Sequence, residues 1–280
     1  MSIQWFPGHM AKAKRLLTEN LDLIDVVLEI IDARAPLSSY NEDLRGLYLN
    51  KTVYKILTKS DLAAPLATKA WLDYFKEKDQ IAIAVDVPKR KGLEDIHIQL
   101  RIEHQRIANL LALKQRRPRS VRLLVAGIPN VGKSSLINAF VKKEAAKAAN
   151  TPGVTKGQQW VRIAKDIELL DSPGIMPPKF FNQEVGLTLA ALGCIKTEVF
   201  SEEEVAIWLL QKLQKLAPGA VKARYKLEEE YNTSDTLDKI AQRVGLINKG
   251  NIPDTTKAAR HFLKEFQSAK FGRITLESPS

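Results

Sequence analysis

Apolar positions along this chain follow two rhythms in alternation. Leu23 to Asp32, LIDVVLEIID, is a mostly apolar run that ends in the turn-forming Ala33-Arg34-Ala35-Pro36, and this pattern predicts a buried strand. Thr52 to Leu57 and Ile81 to Val87 read the same way. Between them Trp71, Leu72 and Phe75 recur at helical spacing within Ala67 to Lys78. Leu93 to Gln115 follows, with Leu93, Ile96, Leu100, Ile107, Leu110 and Leu111 along a long amphipathic helix. Strands alternating with helices imply right-handed crossovers and a mostly parallel sheet. Val121 to Gly127 predicts a further strand and Gly132 onward a helix, while Gln158 to Ala164 and Asp166 to Ser172 predict a hairpin at the sheet edge.

From about Phe181 the rhythm changes. Strand-like runs become scarce, and Ser201 to Leu216 opens on a capping serine and three glutamates before repeating Val205, Leu209, Leu213 and Leu216. Thr236 to Val244 and Thr255 to Ala269 predict further helices. The pattern therefore predicts an α/β domain over residues 1–180 and a small helical domain over residues 181–280, without internal repeats.

Charge adds a class of partner. The net charge is +11, and residues 1–180 hold most of the excess: 29 Lys plus Arg against 19 Asp plus Glu, compared with 14 against 13 afterwards. It clusters at Lys89-Arg90-Lys91, at Lys114, Arg116, Arg117, Arg119 and Arg122, and at Lys142, Lys143 and Lys147. Such a stripe attracts polyanions, RNA or DNA first, although charge runs also serve as solvated surface. Cys194 is the single cysteine, which excludes an intrachain disulfide and a cysteine zinc cluster and fits a reducing compartment. No apolar run approaches the roughly 20 residues of a membrane span, so a soluble protein is expected. Lys12, Lys14 and Arg15 faintly resemble a transit peptide, an idea that Trp5, Phe6 and Pro7 argue against.

The chemistry enters at Gly127-Ile128-Pro129-Asn130-Val131-Gly132-Lys133-Ser134, which fits G-x-x-x-x-G-K-[ST] between a predicted strand and a predicted helix. Glycines let backbone N–H groups curl around phosphate oxygens, and the helix beginning there presents its positive end. Val131, Gly132 and Ser135 belong to that cradle; Lys133 would reach the outer phosphates and the Ser134 hydroxyl would ligate Mg²⁺. Downstream, Asp171-Ser172-Pro173-Gly174 ends the second hairpin strand, where Asp171 can hold the metal through water and the Gly174 N–H can meet a terminal phosphate. Thr155, in the polar connection between, can add a hydroxyl to Mg²⁺, as a segment that orders with the γ-phosphate would.

Thr58-Lys59-Ser60-Asp61 follows the second predicted strand, like the N-K-x-D loop of GTPases. The Asp61 carboxylate can accept from both N1–H and the exocyclic amine of guanine, which adenine cannot match. Lys59 can lay its stem along the base. Thr58 replaces the usual Asn and can make one of its hydrogen bonds, so affinity is expected to fall while base choice survives. Asp86 and Val87 stand where GTPases place a Ser-Ala pair against the other side of the base. The base loop thus precedes the phosphate loop. In a parallel sheet ligands sit at the carboxyl ends of strands whatever order the chain visits them, so the reversed order is a circular permutation.

WFPGHM, DARAP, TKSD, GIPNVGKSSLIN, TPGVT, DSPG and the terminal KFGR together resemble the circularly permuted GTPases of ribosome assembly, over nearly the whole chain from Trp5 to Arg273. The resemblance implies a circularly permuted Ras-like P-loop fold and GTP hydrolysis during late maturation of the large ribosomal subunit in the cytoplasm. It makes GTP and GDP, ribosomal RNA and ribosomal proteins the partners, with residues 181–280 as an RNA- or ribosome-binding domain. Ile175 stands where Ras-like proteins keep a water-orienting Gln, and an apolar side chain cannot orient water. The resemblance points instead to His9, with packing beside Trp5 and Phe6 as the other reading, and to Asn130 as a K⁺ ligand. With Lys133 and Thr155, His9 completes the expected catalytic set. A competing reading is an RNA-binding scaffold in which nucleotide is mainly structural.

Overall fold

The computed structural model describes residues 18–42, 46–48, 50–145, 160–170, 182–195, 201–227 and 233–279. A six-stranded sheet organises them. Its strands are β1 (Val26–Asp32), β2 (Thr52–Thr58), β3 (Ala82–Ala84), β4 (Val121–Ala126), β5 (Trp160–Ala164) and β6 (Ile167–Leu170). Their spatial order is β3-β2-β1-β4-β6-β5, parallel throughout except for β5, which pairs antiparallel with β6 at the edge as the hairpin pattern predicts.

Helices α1 (Pro65–Glu77), α2 (Leu93–Leu113) and α3 (Lys133–Ala145) cover the two faces. Strand β1 shows why both faces must be covered: all seven of its residues are buried. Val26, Leu28 and Ile30 pack on α2 and α3 through Ile96, Leu100, Leu136 and Phe140. On the opposite face Ile31 meets Trp71 and Phe75 of α1. That face also buries one ion pair. Glu29 and Lys55 are register partners on β1 and β2, joined at 2.7 Å, and the Lys55 ammonium lies 4.3 Å from the Tyr40 ring centroid.

Five helices make up most of the rest: α4 (Gln183–Ala191), α5 (Glu202–Leu216), α6 (Ala220–Tyr225), α7 (Thr233–Val244) and α8 (Thr255–Gln267), with a two-residue ladder of β7 (Ile247–Asn248) and β8 (Ile252–Pro253). The Ser201 side chain caps α5 by accepting from the Glu204 N–H at 3.4 Å. One continuous apolar cluster runs from Leu28 and Val125 of the sheet to Leu209, Phe262 and Leu276.

Sequence pattern and structure part company in three places. The predicted strand Ile81 to Val87 contracts to Ala82–Ala84, because the Asp86 carboxylate accepts from the Lys89 N–H at 2.9 Å and closes a turn bridged between Asp86 and Lys91. Pro88 within that turn has no N–H to continue a ladder. Helix α4 escapes periodicity because six consecutive residues, Gly186 to Ala191, are buried, so no polar face marks it. Helix α6 is too short to show a period.

Candidate functional site

Strands β2, β1 and β4 are neighbours, and their carboxyl ends carry the two loops of interest. Register places Asp32 of β1 beside Thr58 of β2, whereas β4 ends at Ala126 opposite Glu29, three positions earlier. The phosphate loop leaving β4 therefore has room to cross the end of β1 toward β2. Gly127 is essential to that crossing, since a Cβ there would stand 2.6 Å from the Ile30 carbonyl oxygen. Gly132 has φ of +105°, and its open side faces Thr58, whose Oγ1 would be 3.4 Å from an added Cβ.

The loops touch. The Thr58 hydroxyl shares its one hydrogen between the Ile31 carbonyl, at 3.0 Å, and the Val131 carbonyl of the phosphate loop. Lys59, at φ of +55°, donates from Nζ to the Asn130 carbonyl at 2.7 Å and pairs with Asp32 at 2.9 Å. Thr58 thus supplies a bond between loops, and the head of Lys59 is fixed by two partners. The main-chain N–H of Ser60 reaches the Val85 carbonyl at 3.2 Å, which ties the loop carrying Asp61 to the β3 side. Asp86 and Val87 follow there, but the Asp86 carboxylate is taken up by its own turn and Val87 packs on the core.

Arg34 and Asp32 form a bidentate, fully buried pair closing the end of β1, with Nε at 2.9 Å and Nη2 at 2.8 Å from the carboxylate. Burial pushes the Asp32 carboxyl up, but the Arg34 guanidinium and the Lys59 ammonium outweigh it and hold the pKa at about 2. The pair is thereby the anchor of Lys59, a role that sequence showed only as an acid and a base flanking one alanine.

Lys133 turns back on its own loop, donating to the Gly127 carbonyl at 3.0 Å and the Ile128 carbonyl at 2.6 Å. Burial lowers its pKa to about 8. Ser134 and Ser135 are exposed at the first turn of α3, where helix N–H groups lack partners. An oxygen donor in that position suits Mg²⁺, a hard cation that takes oxygen ligands. The Asn130 amide donates to the Gly193 carbonyl at 2.9 Å, beside Cys194, whose thiol burial pushes up to about 12. His9, Thr155, Asp171, Gly174 and Ile175 lie outside the described residues.

The basic stripe divides in two. Arg119 is paired with Asp25 at 2.6 Å and Arg122 lies 5.4 Å from the Trp160 ring centroid, so both serve the fold. Lys89, Arg90, Lys91, Lys114, Arg116 and Arg117 are exposed. Among the described residues no helix is long and apolar enough to cross a membrane.

Comparison with known proteins places this arrangement. A family described as 50S ribosome-binding GTPase matches residues 122–249, beginning within β4 and leaving out the Thr58 to Asp61 loop upstream of it. Ribosome biogenesis GTPase A of Bacillus cereus is 42% identical over 280 residues, covering 100% of this chain and 95% of that protein. A protein called Short integuments 2, mitochondrial, from Arabidopsis thaliana is 33% identical, over 95% of this chain and 71% of its own length. The crystal structure of GNP-bound YlqF from T. maritima superposes with a TM-score of 0.69 at 25% identity, over 96% of this chain and 99% of that one. A whole-length match at this identity, on a sheet whose base loop precedes its phosphate loop, is decisive: the chain belongs to the ribosome biogenesis GTPase A family, circularly permuted GTPases.

Proposed function

We propose that this protein is a GTP-hydrolysing assembly factor for a late step of large-subunit maturation, switched on by the ribosomal particle. The observation that carries the chemistry is the direct bonding of the base loop to the phosphate loop, through Thr58 to Val131 and Lys59 to Asn130. Two loops bonded at one sheet end can hold the two ends of one nucleotide.

In this reading Asp61 accepts from the guanine edge, with Lys59, Ser60, Asp86 and Val87 shaping the base pocket. Val131, Gly132, Ser134 and Ser135 offer N–H groups to the phosphates. Lys133 exchanges the Gly127 and Ile128 carbonyls for phosphate oxygens, trading two neutral acceptors for charged ones. Ser134, with Thr155 and Asp171, would hold Mg²⁺, which neutralises charge building on the phosphates. The Gly174 N–H meets the terminal phosphate. His9 positions the attacking water, since Ile175 cannot, and the Asn130 Oδ1 can join a K⁺ site while its amide nitrogen holds Gly193.

Residues 1–180 form the GTPase part and residues 181–280 the part that meets RNA or ribosomal protein. Exposed Arg243, Lys249, Lys257, Lys264 and Lys270, together with the exposed half of the basic stripe, favour an RNA surface. The setting is cytoplasmic. Single-turnover GTP hydrolysis in KCl tests the proposal. Added large-subunit particles accelerate the wild type, and His9→Ala loses most of that acceleration; a wild-type rate that particles leave unchanged refutes particle activation.

A further inference from the structure

The stretch that follows α8 returns to the site. After α8 ends at Gln267, residues 273–277 run between the loop that follows β2 and the loop that follows β1. The planar fork of Arg273 meets two main-chain carbonyls, Nε donating to Ala63 at 2.9 Å and Nη2 to Ser60 at 2.7 Å. Those two carbonyls flank Asp61 and Leu62. Next, the Thr275 hydroxyl accepts from the Ala64 N–H at 3.0 Å. Three bonds thus fix the short segment that carries Asp61.

The far end of this strap is tied as firmly. The Leu276 N–H donates to the Arg34 carbonyl at 2.7 Å. The Glu277 carboxylate accepts from the main-chain N–H groups of Leu37 at 2.7 Å and Ser38 at 3.1 Å, and from the Ser38 hydroxyl. The Glu277 carbonyl accepts from the indole of buried Trp71 at 3.2 Å. Ile274, Thr275 and Leu276 are themselves buried. A strap anchored on α1 and on the β1 loop has little freedom, so the guanidinium it carries is a fixed support.

We infer that Arg273 is a positioning residue for guanine recognition, holding the Ser60 to Ala63 segment so that Asp61 faces the base in both of its hydrogen bonds. Its guanidinium acts on main-chain carbonyls on either side of Asp61 and Leu62. A two-point contact is sensitive to the angle of the carboxylate, whereas a one-point contact tolerates rotation. Guanine offers both N1–H and an exocyclic amine, and hypoxanthine offers N1–H alone. Loss of the brace therefore weakens GDP more than IDP. The inference rests on the assignment of Asp61 to the base.

Binding of GDP and IDP to Arg273→Ala, Arg273→Lys and Thr275→Val, with Asp61→Asn alongside, tests it. Arg273→Ala loses about tenfold in GDP affinity and less than about threefold in IDP affinity, the scale of one imperfect hydrogen bond. Arg273→Lys recovers part of the difference because an ammonium still reaches a carbonyl. A GDP-to-IDP preference unchanged in Arg273→Ala, however far both affinities fall, overturns the positioning role. If Arg273→Ala does not fold, Thr275→Val, which loses only the bond to Ala64, decides by the same ratio: a narrowed preference supports the brace and an unchanged one refutes it. Asp61→Asn separates the two ideas: should it keep its preference for guanine, the base assignment itself fails.

Discussion

The Lys59 ammonium lies 2.7 Å from the carbonyl oxygen of Asn130, so a residue of the base loop holds a residue of the phosphate loop across the intervening strand. Asp32 fixes the same ammonium at 2.9 Å, Arg34 fixes Asp32, and the Asn130 side chain reaches on to the Gly193 carbonyl. Sheet end, both loops and the helical part are joined by one run of polar contacts.

Thr58 carries the second bond between the loops. Thr58→Val keeps the shape and deletes the hydroxyl, leaving the buried Ile31 and Val131 carbonyls short of a donor, at a cost of about 1–3 kcal/mol in stability. GDP affinity falls with it, because the phosphate loop loses its tether. Chemical denaturation and nucleotide titration measure the two effects. A variant as stable and as tight-binding as wild type would show that the contact is dispensable.

Gly132→Ala forces a residue with a side chain to φ of +105°, with its Cβ in van der Waals contact with Thr58. Nucleotide affinity drops by about tenfold or more, on the scale of about 1–3 kcal/mol for a strained backbone position. Gly219→Ala, at a positive φ but with nothing within 4 Å of the added carbon, provides the comparison: it loses stability without a selective loss of nucleotide.

Asp32 sets an acid limit on stability. Its pKa in the folded chain, about 2, lies below the ordinary carboxylate range, so the stabilisation is complete above about pH 4 and is lost as pH falls toward 2. Asp32→Asn flattens that limb of the pH–stability curve. At neutral pH the same change costs about 3–5 kcal/mol, because it leaves the buried Arg34 charge without its partner. Urea unfolding at a series of pH values reads both effects.

Asn130→Ala releases Gly193 and removes the proposed K⁺ ligand. If that site operates, the expected outcome is wild-type GTP turnover faster in KCl than in NaCl, and Asn130→Ala turnover equal in both. A variant that keeps the full potassium effect removes Asn130 from that role.

Much of this was legible in the sequence because local chemistry dictates it. The apolar run around Ile30, the glycines at 127 and 132 and the capping Ser201 each specify their element from neighbouring residues alone. Asp32 and Arg34 stand only as an acid and a base flanking one alanine, and it is burial of β1 on both faces that pairs them. What could not be read was long-range pairing. Nothing near Arg273 announces carbonyls some 210 positions earlier as its partners, and nothing near Glu277 announces Leu37 and Ser38. The contraction of β3 depended on whether the Asp86 side chain would take an N–H of its own turn, which an apolar pattern does not encode. Thr58 looked like a weakened Asn; the structure gives its hydroxyl a partner on the phosphate loop.

In the proposed mechanism Asp61 and Lys133 serve one guanine nucleotide. A crystal structure of the protein with a non-hydrolysable GTP analogue and Mg²⁺ tests it most directly. The expected result is the Asp61 carboxylate within hydrogen-bond distance of N1 and the exocyclic amine of the guanine, and the Lys133 ammonium on the β- and γ-phosphates of the same molecule. Nucleotide bound with its base away from Asp61 while Lys133 holds the phosphates would contradict it.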